Sequence, residues 1–213
     1  MPIQLKPVTL NVAPTAATTN NICTTHTPIT TAPLTIAGTA VTAGVATLGA
    51  AQLIRLTSAG DDSAITFTFT GTDADGDAQS QTVAGTNASN TDTTKFFRTI
   101  TAITHTGTVA GAVIVGNLIT SVSPTFFPAN VPGSVALGIN VQLVSGTTTC
   151  ALNQTYEDFK TYPADTRWFA HATLTALSAT TAGSLLFPVT GLRMRVSASS
   201  SAVIRTQIVQ SGV

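Results

Sequence analysis

The stretch Ile65–Gly85, ITFTFTGTDADGDAQSQTVAG, constrains the fold of this chain more than any other. Ile65, Phe67 and Phe69 alternate with Thr66, Thr68 and Thr70. A period of two puts an apolar row and a threonine row on opposite faces of a strand. Asp73-Ala74-Asp75-Gly76-Asp77 then reverses the chain. Asp75-Gly76 is the expected turn centre, because glycine takes positive φ at no steric cost. A strand, a turn and a second strand make this a hairpin with one buried face.

The rest of the chain is compatible with more such strands. Charged residues are 8% of the 213, against roughly 25% in an ordinary soluble domain. Threonine, alanine, serine and glycine fill the gap. Threonine alone is about a fifth of the chain, and its branched Cβ suits a pleated sheet. Two long tracts, Pro7–Ile54 and Thr99–Tyr156, hold no Asp, Glu, Lys or Arg. A freely soluble monomer with so little charge is prone to associate, so much of this surface is expected to be covered by other subunits. Nine acidic and nine basic residues cancel, with no basic block. A nucleic-acid groove therefore lacks its electrostatic footprint.

In chain order, residues 1–37 carry five of the ten prolines and polar Thr/Asn runs. Proline removes a donor and disfavours helix, so an extended N-terminal arm is expected, with short strands at Gln4–Leu10 and Leu34–Ile36. The start, MPIQLKPVTL, lacks the pattern of a signal peptide. Ile36–Ile54 is uncharged and long enough to cross a bilayer, but it is mostly Ala, Gly and Thr, so no membrane span is expected. Residues 38–118 read as a first β domain. Its strands are expected at Gln52–Ser58, in the hairpin, at Lys95–Thr104 with Ile100 and Ile103 in the core, and at Gly111–Gly116. Residues 119–133 hold three prolines and read as a linker. Residues 134–213 read as a second β domain. There Val135–Val144 and Thr149–Tyr156 are expected to form a hairpin around Ser145-Gly146, with last strands at Leu185–Val196 and Ala202–Gln210. Leu192, Met194 and Val196 should face inward, and Arg193 and Arg195 outward. No segment has a helical period. The fold class is all-β, with two β-sandwich domains of jelly-roll or Ig-like type behind an extended arm.

Candidate chemistry is sparse. Asp73, Asp75 and Asp77 superficially resemble a calcium loop. Gly76 sits fourth in that run, however, where an EF-hand wants glycine sixth and a glutamate twelfth, so a solvated turn is the favoured reading. His26, His105 and His171 show no metal-type spacing. No G-x-S-x-G or P-loop is present. Glu157 is the only glutamate; paired with Asp158 or Asp165 it is a thin basis for glycoside hydrolysis. No catalytic residue, cofactor or enzyme activity is assigned. Cys23 and Cys150 lack zinc spacing and are expected as two free thiols, although one disulfide is compatible with the sequence. The segment Glu157–Phe169 is the most charged and aromatic. Tyr156, Tyr162, Trp168 and Phe169 are its interaction candidates. Trp168 and Phe169 are expected mainly as plugs at one end of the sandwich, and a carbohydrate or protein contact surface is the alternative.

The run ITFTFTGTDADGDAQSQTVAG, followed by TKFFRTITAITHTGTVAGAVIVG, resembles a pattern found in virion structural proteins of tailed bacteriophages. NQTYEDF, TRWFAHATLTALSA, LLFPVTGLRMRVSA and IRTQIVQ extend the resemblance over roughly residues 50–210. It implies a structural role in a phage particle, assembled in the host bacterial cytoplasm. A capsid decoration or cement protein fits best, and a head–tail adaptor or tail component is the alternative. The implied partners are the major capsid protein, copies of the chain itself as a homo-oligomer, or both, with no nucleic acid and no membrane. A carbohydrate-binding or adhesin module is the competing class.

Overall fold

The computed structural model describes residues 7–27, 32–128, 136–158, 160–161, 167–186 and 188–211. The fold is all-β. Its strands are β1 (Val8–Val12), β2 (Thr18–His26), β3 (Val41–Thr42), β4 (Val45–Ser58), β5 (Thr66–Thr72), β6 (Ala78–Ala84), β7 (Asn90–Asp92), β8 (Phe97–His105), β9 (Val113–Val122), β10 (Ala136–Thr155), β11 (Phe169–Ala170), β12 (Thr181–Leu185) and β13 (Gly191–Ser211). The strand pairings described below are antiparallel. Among the described residues no helix is long and apolar enough to cross a membrane.

The chain divides into two compact units, Pro14–Ser121 and Met1–Ala13 with Val122–Val213. These boundaries differ from those the sequence suggests. The region expected as an arm contributes β1 to one unit and β2 to the other. Residues 119–122, expected in the linker, are the end of β9. Backbone donors explain both differences, because an extended segment beside a sheet satisfies its N–H and C=O groups by joining it.

In the unit Pro14–Ser121, the β5–β6 hairpin forms in the register its alternation dictates, from Thr66↔Ala84 to Thr72↔Ala78. Phe67 and Phe69 are fully buried, whereas Thr66 and Thr68 are half-buried and Thr70 is exposed. Gly76 takes φ 88° at the turn. β8 pairs with the other side of β5, Phe69 opposite Ile103. Phe97, Ile100 and Ile103 join Phe67 and Phe69 in one core with Leu48, Ile54 and Leu56 from β4. β4 pairs with β8 through Ala46–Gln52 and with β7 through Arg55–Thr57. That change of partner lets one long strand serve two parts of the sheet. β2 runs beside β9, where Gly116 admits it: a Cβ there would collide with the Thr18 carbonyl.

The other unit is built on β10 and β13, paired along nearly their whole lengths, from Ala136↔Ser211 to Thr155↔Gly191. β1 lies on β13, and β11 and β12 lie on β10. The expected hairpin at Ser145-Gly146 does not form. Register shifts between Leu143 and Thr147, with Gly146 at φ 70°, make that dipeptide a bulge inside a continuous strand. Glycine's freedom at positive φ serves a bulge as well as a turn. For the same reason the two expected final strands are one, β13. Leu192, Met194 and Val196 are buried, with Arg193 half-buried and Arg195 exposed between them, as the alternation requires.

Candidate functional site

The aromatic segment meets the sheet where β10 ends and β13 begins. Gln154 lies opposite Leu192 on one side and Phe169 on the other. Directly paired residues share a face, so Gln154, Leu192 and Phe169 point one way, together with Tyr156 two residues on. Leu192 is buried as the floor, and Gln154 is nearly so. The Gln154 Nε2 donates to Tyr156 Oη at 2.6 Å. The Tyr156 and Phe169 rings sit 6.2 Å apart between centroids, tilted by 43°, which is within the range of a favourable aromatic pair. Each of the two residues remains 48% exposed.

Trp168 and Arg193 occupy the opposite face. Asn153 opposes both Ala170 and Arg193, which places Trp168, two residues before Ala170, on that side. The Arg193 guanidinium carbon lies 4.0 Å from the Trp168 ring centroid. Thr155 pairs with Gly191, whose missing side chain keeps that row low. Beside it, Phe126 exchanges backbone hydrogen bonds with Leu192, at 2.7 and 2.9 Å. Phe127 is left 46% exposed, with Lys160 Nζ 5.4 Å from its ring centroid.

The expectation that Trp168 and Phe169 plug a core is therefore corrected. Phe169 stands on a two-residue strand where nearly half its surface meets solvent, and Trp168 is half-buried beneath an arginine. Tyr162, like Phe159 and Asp165, lies outside the described residues. Reading the sequence placed Arg193 outward but missed its stacking on Trp168, and it missed Phe127 and Leu186 as parts of exposed surface. The Phe126-Phe127 pair stood among prolines and read as linker. Leu186, 77% exposed, carries no local signal at all. The six large apolar side chains with the greatest exposure among the described residues are Val8, Phe127, Val144, Tyr156, Phe169 and Leu186. All six belong to this unit.

The other candidates resolve into structural roles. At the hairpin tip, one carboxylate oxygen of Asp73 accepts the Asp75 and Asp77 amides, each at 2.9 Å. Burial pushes this carboxyl above its ordinary pKa; the two amides pull it down, and the charges of Asp75 and Asp77 push it up. No group of three or more His, Cys, Asp or Glu among the described residues is arranged to hold a metal ion. His171 Nδ1 accepts the Leu174 amide at 3.1 Å and the Thr173 amide at 3.2 Å. The His105 ring nitrogens meet the carbonyls of Gly107 and Ala32 at 2.6 and 2.7 Å. Glu157 accepts the Arg167 amide at 2.6 Å. Cys23 and Cys150 are buried and unpaired with each other, and burial pushes each thiol up to about 11. Chemically, the exposed rings offer stacking and apolar contact, with the Lys160 ammonium beside Phe127 and the Arg193 guanidinium beside the half-buried Trp168.

No family model matches the chain, and no curated protein matches its sequence. Among solved structures it is similar to allantoicase from Saccharomyces cerevisiae, with 6% identity, 76% of each chain covered and a TM-score of 0.22. A likeness at that level carries no argument about fold or activity.

Proposed function

We propose that this chain is a structural, non-catalytic protein of a tailed-phage virion, most consistent with a capsid decoration or cement protein. It would act by burying surface against the major capsid protein and other copies of itself. The observation that carries this reading is the pairing of very low charge with apolar exposure concentrated on one of the two units. Eighteen charged residues serve 213 positions, and among the described residues the six most exposed large apolar side chains all fall on one unit. Apolar surface of that kind gains free energy when it is covered. The phage-like strand pattern indicates the kind of particle. Quantifying copies per particle in purified virions of the encoding phage tests it. Hundreds of copies support the capsid station; six, twelve or a few dozen support a head–tail adaptor or tail component. Absence from the particle refutes both.

A carbohydrate-binding or adhesin role is the second reading, favoured by the half-exposed Tyr156 and Phe169 rings. Binding on a glycan array that is abolished by Phe169→Ala or Trp168→Ala, with the fold retained, would establish it. An array without signal removes it.

A further inference from the structure

We infer that β12 is the strand through which two copies of this chain pair, edge to edge and antiparallel. This deepens the structural reading above by naming a partner, a second copy, and the strand that meets it. β12 pairs with β10 on one side, from Leu137↔Leu185 to Val141↔Thr181. Among the described residues no strand pairs with its other side. A free edge presents a row of backbone donors and acceptors that templates another strand, and proteins blunt such edges with charge, proline or cover.

The other outer strands show those devices. On β6 the Lys95 ammonium donates to the Ser80 carbonyl at 2.9 Å, and the Gln81 side chain binds the Thr94 and Lys95 amides. The outer side of β2 is met by the amides of Ala37, Gly38 and Ala40. β1 begins directly after Pro7. β11 has two residues. β12 has none of these. From Trp168 to Leu192 the sequence contains no Asp, Glu, Lys or Arg, and β10 beside it contains none either.

The composition of β12 suits a second copy in particular. A two-fold antiparallel pairing sets a strand against itself, so like charges at paired positions would face one another across the seam. A register centred on Gly183 sets Ala182 of one copy against Ser184 of the other, two small neutral residues. One face of the strand is already packed: Leu185 is buried, and a Cβ on Gly183 would strike the Leu174 side chain. Ala182, Ser184 and Leu186 face solvent. Leu186, the most exposed large apolar residue described, would be covered in the pair.

Sedimentation velocity of the full chain tests this, separately from any binding to particles. The unmodified protein is expected to associate with rising concentration. Ala182→Lys with Ser184→Lys puts like charges across the seam, and so does the glutamate pair Ala182→Glu with Ser184→Glu. Each variant alone is expected to dissociate at least about tenfold more readily. Mixing the two is expected to restore association, more weakly as salt is raised. A parent that stays monomeric throughout, or a lysine variant that associates like the parent, overturns the inference. If either variant loses its β-sheet circular dichroism, hydrogen exchange of the unmodified chain decides. Those amides among 181–185 that point away from β10 must gain protection on concentration, and unchanged protection there refutes the pairing. A self-pairing chain that is missing from virions would leave this inference standing while the virion reading falls.

Discussion

The Arg193 guanidinium lies over the Trp168 ring, 4.0 Å from its centroid, and joins β13 to the aromatic segment beside β11. Cation–π contacts are worth about 0.5–2 kcal/mol, more when desolvated. Trp168 is the only tryptophan, so its fluorescence reports on this corner without contribution from a second indole. Arg193→Ala is expected to shift and brighten or quench that emission without loss of fold. A double-mutant cycle of Arg193→Ala with Trp168→Ala should return a coupling of about 0.5–2 kcal/mol in urea unfolding. A coupling of zero would mean that the two side chains are neighbours without interaction.

Two glycines on β5 and its turn separate crowding from backbone strain. At Gly71 a Cβ would collide with the carbonyl oxygen of Thr99 on β8, a backbone atom that cannot rotate aside. Gly71→Ala is expected to push β5 from β8 and cost about 2–4 kcal/mol. Gly76 has open space around it but φ of 88°, so Gly76→Ala should cost only about 1–2 kcal/mol, the strain of a left-handed residue. Urea midpoints of the two variants give the order directly. Equal costs would contradict the close approach at Thr99.

That contrast also shows where the sequence was legible. Phe67 and Phe69 announced a buried face because their period of two is local and complete. Ile100 and Ile103 were marked by side-chain type alone: they stand three apart, and a register shift between Ala102 and Ile100 brings both to the buried face. Ser145-Gly146 misled because a glycine at positive φ is the same local signal in a turn and in a bulge; only the long-range partner β13 distinguishes them. β2 was hidden because TTNNICTTH is polar, and its place is set by β9, whose Val115 lies opposite Cys23. At the aromatic corner, hydrophobicity alone suggested burial for Phe169. Its pairing with Gln154 on a short outer strand leaves it in solvent instead. Side-chain type marked the segment, but exposure depended on tertiary neighbours that no local pattern carries.

The two thiols give an alkaline signature. Burial raises Cys23 and Cys150 from 9.0 to about 11. A raised folded value means that the folded state holds its proton more tightly. Stability is therefore unaffected below pH 9 and falls as pH rises from about 9 through 11. Cys23→Ala with Cys150→Ala is expected to flatten that limb, measured against the parent by urea unfolding. At pH 8 about a thousandth of each folded thiol is thiolate, so a disulfide reagent should react slowly until denaturant is added and then find two thiols. Rapid reaction of the native protein would contradict their burial.

At the hairpin tip, Asp73 holds the turn with one oxygen while burial works against its charge. The Asp75 and Asp77 amides both donate to Asp73 Oδ1, and the Asp73 amide donates to the Asp77 carbonyl at 2.9 Å. Asn at position 73 keeps an acceptor oxygen and loses the charge. Because the folded carboxyl is raised above 3.8, its ionisation lowers stability as pH climbs through the window just above that value, and the loss persists at neutral pH. Asp73→Asn should therefore equal or exceed the parent in stability at pH 7 and lose the advantage below pH 3.8. Asp73→Ala removes both bonds and is expected to cost about 1 kcal/mol at either pH. Thermal unfolding of the three proteins at the two pH values separates the contributions. Calcium or a chelator should leave all three melting temperatures unchanged, since the Asp73 oxygen is already committed to amides. A calcium-dependent rise that Asp73→Asn abolishes would show instead that the tip binds the ion.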